Sequence, residues 1–283
     1  MKMSASDIAE IARDAWTEGR DAEARRILDE LGPALTIHRG DCIGGLGSLD
    51  DASVDVTITD PPYEIEAHTK GKRQGKSSGR GREECGKKYA RVVDEEFDFF
   101  PITEAQRRDV GREIARVTRK WIGVFCQVEA IHLWRGALER DGFVYRRTIP
   151  WVKPDAMPSL HGKWPGQAFE AIVVLGRPSA TAPIGGKARY YQATRERGDT
   201  RAHPTAKPIA LMRQIVEDFT EFGDLVCDPF AGSGSTGFAC KMLGRRFVGW
   251  ELNNTYYLTA LRRLNGEVAR PTLRQPSLFG GAL

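Results

Sequence analysis

Val54-Asp55-Val56-Thr57-Ile58-Thr59-Asp60-Pro61-Pro62-Tyr63 is the stretch that decides the fold of this chain. Val54, Val56 and Ile58 alternate with smaller or polar residues, and the β-branched run predicts a strand. Proline donates no hydrogen bond to a sheet ladder, so the strand ends at Asp60. Ligands of open α/β sheets bind just beyond the carboxyl ends of strands, which is where Asp60 and Tyr63 then stand. Pro61 and Pro62 narrow the backbone and fix the direction of its carbonyls. An acceptor, a stiff backbone and an aromatic face together suit a flat ring that bears an amine. A strand closed by a proline turn accounts for the same residues, so the rest of the chain has to choose.

The choice is made near the other end. Asp228-Pro229-Phe230-Ala231-Gly232-Ser233-Gly234-Ser235-Thr236 follows the strand-like Leu225-Val226-Cys227 and precedes a helical pattern with Phe238, Met242 and Leu243. Gly232 and Gly234 permit positive φ and close backbone approach, and Ser235 or Thr236 is expected to cap the helix. The next strand, Arg246 to Trp250, ends in Glu251. A glycine loop after one strand and an acid at the end of the next is an arrangement that cradles a nucleoside, the acid taking ribose hydroxyls. The loop lacks the lysine of a phosphate-binding P-loop and opens with an acid and an aromatic residue. A zwitterionic amino-acid nucleoside therefore fits better than a triphosphate.

These stretches resemble the site-specific DNA amino-methyltransferases that use S-adenosylmethionine. Asp60-Pro61-Pro62-Tyr63 looks like their catalytic tetrapeptide, Asp228 to Gly234 like their cofactor loop, Glu251 like their ribose-binding acid, and His203 to Pro208 like the stretch before that loop. The tetrapeptide precedes the loop, as in the β group of these enzymes. The resemblance covers residues 35 to 265. It implies an α/β fold: a Rossmann-like, seven-stranded, mostly parallel sheet with helices on both faces and a circularly permuted motif order. It implies a catalytic set of Asp60, Pro61, Pro62 and Tyr63, and a cofactor set of Asp41, Lys207, Asp228, Phe230, Gly232, Ser233, Gly234 and Glu251, with no metal. Asp41, just after the strand Leu35 to His38, either faces the ligand or caps the helix that follows. The implied substrate is double-stranded DNA with its target base flipped out. Asp at the head of the tetrapeptide favours N6 of adenine; N4 of cytosine is the alternative. RNA methylation and a catalytically silent DNA-binding subunit are the rival readings. Related enzymes are often dimers, so a homodimer is a further expectation.

The remaining residues bound this picture. At 283 residues, 41% hydrophobic and 28% charged, with a net charge of +4, the chain has the make-up of a globular protein with a mild preference for acidic partners. Its five cysteines show no paired metal-ligand spacing. Asp7, Glu10 and Asp14 stand where a signal peptide would be apolar, and no apolar run nears the roughly 20 residues of a membrane span; a cytoplasmic protein is expected. Residues 1 to 34 read as a helical appendage with Ile8, Ile11 and Ala15 on one face and a break at Gly19. Residues 64 to 91 carry Lys70, Lys72 and Arg73 among Gly and Ser, a basic insert expected to be disordered alone and ordered on nucleic acid. Residues 153 to 202, with Arg189, Tyr190, Tyr191 and Arg195, suit contact with bases, or else a solvated surface. In the tail, 266 to 283, Gln275, Leu278 and Phe279 resemble the peptides by which bacterial enzymes attach to the replication sliding clamp; folding back onto the enzyme is the other reading.

Overall fold

Side chains of the buried strands alternate between two apolar layers, and that alternation sets the architecture. Val56 and Ile58 face one core, which also holds Phe125, Ile172, Leu211, Ile215 and Phe247. Val54, across a register shift from Val56, joins the other, with Leu46, Ile114, Ile122, Val124, Trp134 and Val173, while on β5 Ile172 and Val174 belong to the first core and Ala171, Val173 and Leu175 to the second. A strand that is buried on both faces must lie inside a three-layer sandwich. The computed structural model describes residues 5–28, 35–63, 101–156, 165–194 and 206–266. In chain order the elements are α1 (Ala5–Thr17), α2 (Asp21–Leu28), β1 (Leu35–Arg39), α3 (Cys42–Gly47), β2 (Val54–Thr59), α4 (Glu104–Val117) and β3 (Thr118–Cys126). They continue with α5 (Ile131–Leu138), β4 (Val144–Val152), β5 (Phe169–Gly176), β6 (Tyr191–Gln192), α6 (Ile209–Phe219), β7 (Leu225–Asp228), α7 (Ser235–Leu243), β8 (Arg246–Glu251) and α8 (Asn254–Asn265).

The sheet runs β1-β8-β7-β2-β3-β5-β4-β6. It is Rossmann-like, and all neighbours are parallel except where β5 pairs with β3 and β4. This brings the carboxyl ends of β2, β7 and β8, hence Asp60, Asp228 and Glu251, to one edge. The antiparallel β5 delivers its amino end to that same edge, with Ala171 opposite Cys126 and Glu170 opposite Trp151.

Several expectations change. The sheet has eight strands rather than seven, because Tyr191-Gln192 adds a short strand to β4. On α1 the inward face is Ile8, Ala12 and Ala15, while Ile11 is 45% exposed; the stripe follows i, i+4, i+7. The helix that opens at Glu104 stops at Val117, because Thr118 pairs with Val54 and draws the chain into the sheet. Neither Ser235 nor Thr236 caps α7, whose first residue follows Gly234 in the left-handed region. Lys70, Lys72, Arg73, Arg195, His203, Gln275, Leu278 and Phe279 lie outside the described residues. No helix among the described residues is long and apolar enough to cross a membrane.

Candidate active site

Asp60 leaves β2 into a walled pocket. Lys207, from the segment just before α6, is 9% exposed and donates from Nζ to Asp60 Oδ2. The same ammonium lies 3.3 Å from Glu170 Oε2, while Lys153, just past β4, donates to Glu170 Oε1. Around Lys207 stand the rings of Phe125, Tyr63 and Trp151, at 5.0, 5.8 and 5.8 Å from Nζ. Cations against aromatic faces are held electrostatically as well as sterically. Asp60 Oδ1 is shielded from solvent and has no hydrogen-bond partner among the described residues, whereas Glu170 Oε2 is held by the Lys207 ammonium and lies near the Tyr63 hydroxyl. A buried orphan of this kind is costly and marks a place shaped for a polar guest.

The electrostatics follow from this geometry. Burial pushes the Asp60 carboxyl above its ordinary pKa, and Lys207 opposes it without winning. Burial acts on Glu170 in the same sense, but Lys207 and Lys153 outweigh it and bring that carboxyl down to about 2. Lys207 keeps its proton: burial disfavours the charge, yet Asp60 and Glu170 together hold its pKa above that of an ordinary lysine. Burial and the nearby carboxylates also raise the Tyr63 phenol, which stays protonated.

The glycine loop builds the second half of the site. Gly232 and Gly234 have φ of +53° and +79°. A Cβ on Gly234 would come within 2.8 Å of Ala260 Cβ, so both the backbone angle and the packing require glycine. Gly232 N donates to Glu251 Oε2 at 2.9 Å and Asn253 N to Oε1 at 2.7 Å, tying the loop to the end of β8. The first turn of α7 has no side-chain cap, which leaves its amide groups at the loop.

Other candidate residues are engaged by the protein's own groups. Asp228 is 3% exposed and accepts from the hydroxyls of Thr59 and Thr236 and from Phe230 N. Ser233 and Ser235 both meet Arg263. Asp41 caps α3 by accepting from Gly44 N at 2.9 Å. Arg189 is paired with Asp218, which also accepts from the fully buried Tyr191 at 2.7 Å; Tyr191 therefore faces the core and not a base. Glu170 and Lys153 escaped the sequence reading. The available signal was a lone charge in the apolar run Ala168 to Leu175.

A sequence profile of the N6/N4 DNA methylase family matches residues 54–262. The Type II methyltransferase M2.DpnII of Streptococcus pneumoniae is 26% identical over 264 residues, 82% of this chain and 90% of that protein. M2.LlaDCHI of Lactococcus lactis subsp. cremoris is 26% identical over 260 residues, covering 82% and 89%. The solved M1.HpyAVI–SAM complex superposes with a TM-score of 0.58 at 26% identity, over 81% of this chain and 98% of that one. The cytosine-N4-specific PvuII DNA methyltransferase gives a TM-score of 0.59 at 15% identity, over 81% and 85%, a likeness of fold.

Proposed function

The chain belongs to the N6/N4 DNA methylase family, and on that premise we propose that it moves a methyl group from S-adenosylmethionine to N6 of an adenine flipped out of duplex DNA. The residues at the sheet edge fit that cofactor. Gly232 and Gly234 let the backbone approach closely, Glu251 stands at the end of β8 for the ribose, and the uncapped start of α7 suits a carboxylate. When bound, the cofactor supplies an electrophilic methyl carbon on a sulfonium. The protein's own task is to present and polarise the amine.

The observation that carries this reading is the unpartnered Asp60 Oδ1. Lys207 fixes Oδ2, so the other oxygen is offered to the pocket as an acceptor in a set orientation. It would take one hydrogen of the exocyclic amine, with the Pro61 carbonyl as the second acceptor. That draws the nitrogen lone pair out of conjugation and steadies the positive charge that grows on nitrogen. The Tyr63 ring would stack on the extruded base and offset part of an unstacking cost of a few kcal/mol. Because burial raises the Asp60 pKa, activity falls as pH drops through it: a protonated Asp60 has lost acceptor strength. Adenine is favoured over cytosine by the Asp at the head of the tetrapeptide.

Asp60→Ala should lower methyl transfer by at least about 100-fold while calorimetry finds cofactor affinity nearly intact. Near wild-type turnover in that variant would sink the reading. Sequencing with methylation-sensitive detection, after expression in a methylation-free host, reads the base directly; N4-methylcytosine in place of N6-methyladenine would overturn the adenine assignment.

A further inference from the structure

We propose that Glu170 is a positioning residue for methyl transfer: by sharing Lys207 with Asp60, it keeps the pocket around the reacting amine electrically neutral. The proposal rests on Asp60 being the group that receives the amine.

Lys207 is buried and sits between two carboxylates, bonded to Asp60 Oδ2 and 3.3 Å from Glu170 Oε2. Lys153 holds the far oxygen of Glu170. Two carboxylates and two ammonium groups sum to zero within walls formed by Phe125 and Trp151. Without the Glu170 charge the cluster would carry a net positive charge beside a nitrogen that turns cationic during transfer. Lys207 would then serve Asp60 alone and cancel the negative potential that the amine needs. A surface tie to Lys153 would require only Oε1. Instead Oε2 is turned inward to the buried Lys207 ammonium, 3.3 Å away, so that one carboxylate spans both lysines.

Glu170 also acts on the titration of Asp60. The charged and titratable groups facing Asp60 are Lys207 before α6, Glu170 on β5, Lys153 after β4, Tyr63 beyond its own strand, and Asp228 at the end of β7. Burial is the largest influence raising Asp60 and the Glu170 charge adds to it, while Lys207 and Lys153 pull it down. Removing Glu170 should therefore shift the acid limb of activity to lower pH even as the plateau rate falls. Removing Lys153 should shift that limb upward. A role confined to holding β5 in place moves neither.

The test is single-turnover transfer of a labelled methyl group to genomic DNA from a methylation-free host, followed across pH. Glu170→Gln should lower the plateau about tenfold and move the acid limb down by about half a pH unit or more, with cofactor affinity unchanged. Glu170→Asp should recover most of the rate, and Lys153→Met should move the limb up. A wild-type profile in Glu170→Gln overturns the proposal, as does a rate loss with an unmoved limb that Glu170→Asp fails to restore. If Glu170→Gln gives no cooperative melt, Lys153→Met decides, and an unmoved limb there is fatal. Asp60→Ala in the same assay separates the two ideas. Retained turnover there breaks the reading of Asp60, while a dead Asp60→Ala beside a normal Glu170→Gln breaks this one alone.

Discussion

Asp55 lies near the start of β2 and Asp60 just past its end, and each buried carboxyl belongs to an ion cluster, yet the two clusters are built to opposite ends. Asp55 accepts from Arg119 and from Leu225 N at 2.9 Å, and Lys120 stands 3.1 Å away and bridges to Asp224 at 2.9 Å. Burial alone would raise its pKa, but the Leu225 amide and the two cations outweigh burial and hold it below the ordinary value. Asp60 has one lysine on one oxygen, nothing on the other, and a pKa shifted upward. The first cluster ties β2, β3 and β7 together at the amino edge. The second leaves an acceptor open at the carboxyl edge. Burial and charge count do not separate structure from function here; the orphaned oxygen does.

The sharpest way to break the comparison is to truncate both acids. Asp60→Ala should lose turnover by at least about 100-fold with little change in melting. Asp55→Ala should do the reverse. It leaves the Leu225 amide without its acceptor and Lys120 with Asp224 alone, for a loss of about 2–3 kcal/mol of stability, with turnover retained below the melting range. Denaturant unfolding and methyl-transfer assays on both variants decide it. Equal activity losses would mean that the amino-edge cluster is not purely structural.

The two lysines offer a finer cut. Lys207→Met strips Asp60 and Glu170 of their shared cation, so transfer should fall about tenfold and the acid limb should climb in pH as the carboxyls hold their protons more tightly. Lys120→Met should cost about 1–3 kcal/mol, discounted because that side chain is 30% exposed, and leave the pH profile in place. A pH profile that shifted in Lys120→Met and stayed fixed in Lys207→Met would reverse the assignment of roles.

How much of this was legible in the sequence follows from the range of each contact. The strand before Asp60, the glycine loop and Glu251 are local patterns, set by β-branched alternation, proline and positive φ, and they could be read directly. The Thr118 boundary and the eighth strand could not. Both depend on pairing partners distant in sequence, Val54 in one case and β4 in the other. Tyr191 looked like a base-stacking residue because its partner, Asp218, lies on a helix that only the fold brings close. Glu170 is the clearest case. It reaches Lys207 because β5 runs antiparallel and delivers its first residues to the edge where the parallel strands end. A lone acid in an apolar strand hinted at a purpose, and topology supplied it.

Asp228 combines features of both acids, and its effect is read only as a dependence on pH. It accepts hydrogen bonds at both oxygens, as Asp55 does, from Thr59, Thr236 and Phe230 N. Unlike Asp55 it has no cation, so burial dominates and raises its pKa to about 6. The neutral donors resist that rise but cannot cancel it. In the unfolded chain this carboxyl ionises near 4, so between about pH 4 and 6 the native state holds a proton that the unfolded state has released. Stability must therefore fall as pH rises through this window, and at about 1.4 kcal/mol per pKa unit the drop is roughly 3 kcal/mol. Asp55 and Glu170, with lowered pKa values, act in the opposite sense at lower pH: their stabilisation is present above the unfolded pKa and disappears as pH falls through the folded one. Asp228→Asn keeps a carbonyl for Thr59 and Phe230 N and can donate to the Thr236 oxygen, so the packing survives while the titration disappears. Urea unfolding from about pH 2 to 7 should find the decline flattened in Asp228→Asn and the rise at lower pH intact. An unchanged decline would place the proton elsewhere, and hydrogen bonding at both oxygens would then suffice to keep a buried acid ionised without a cation.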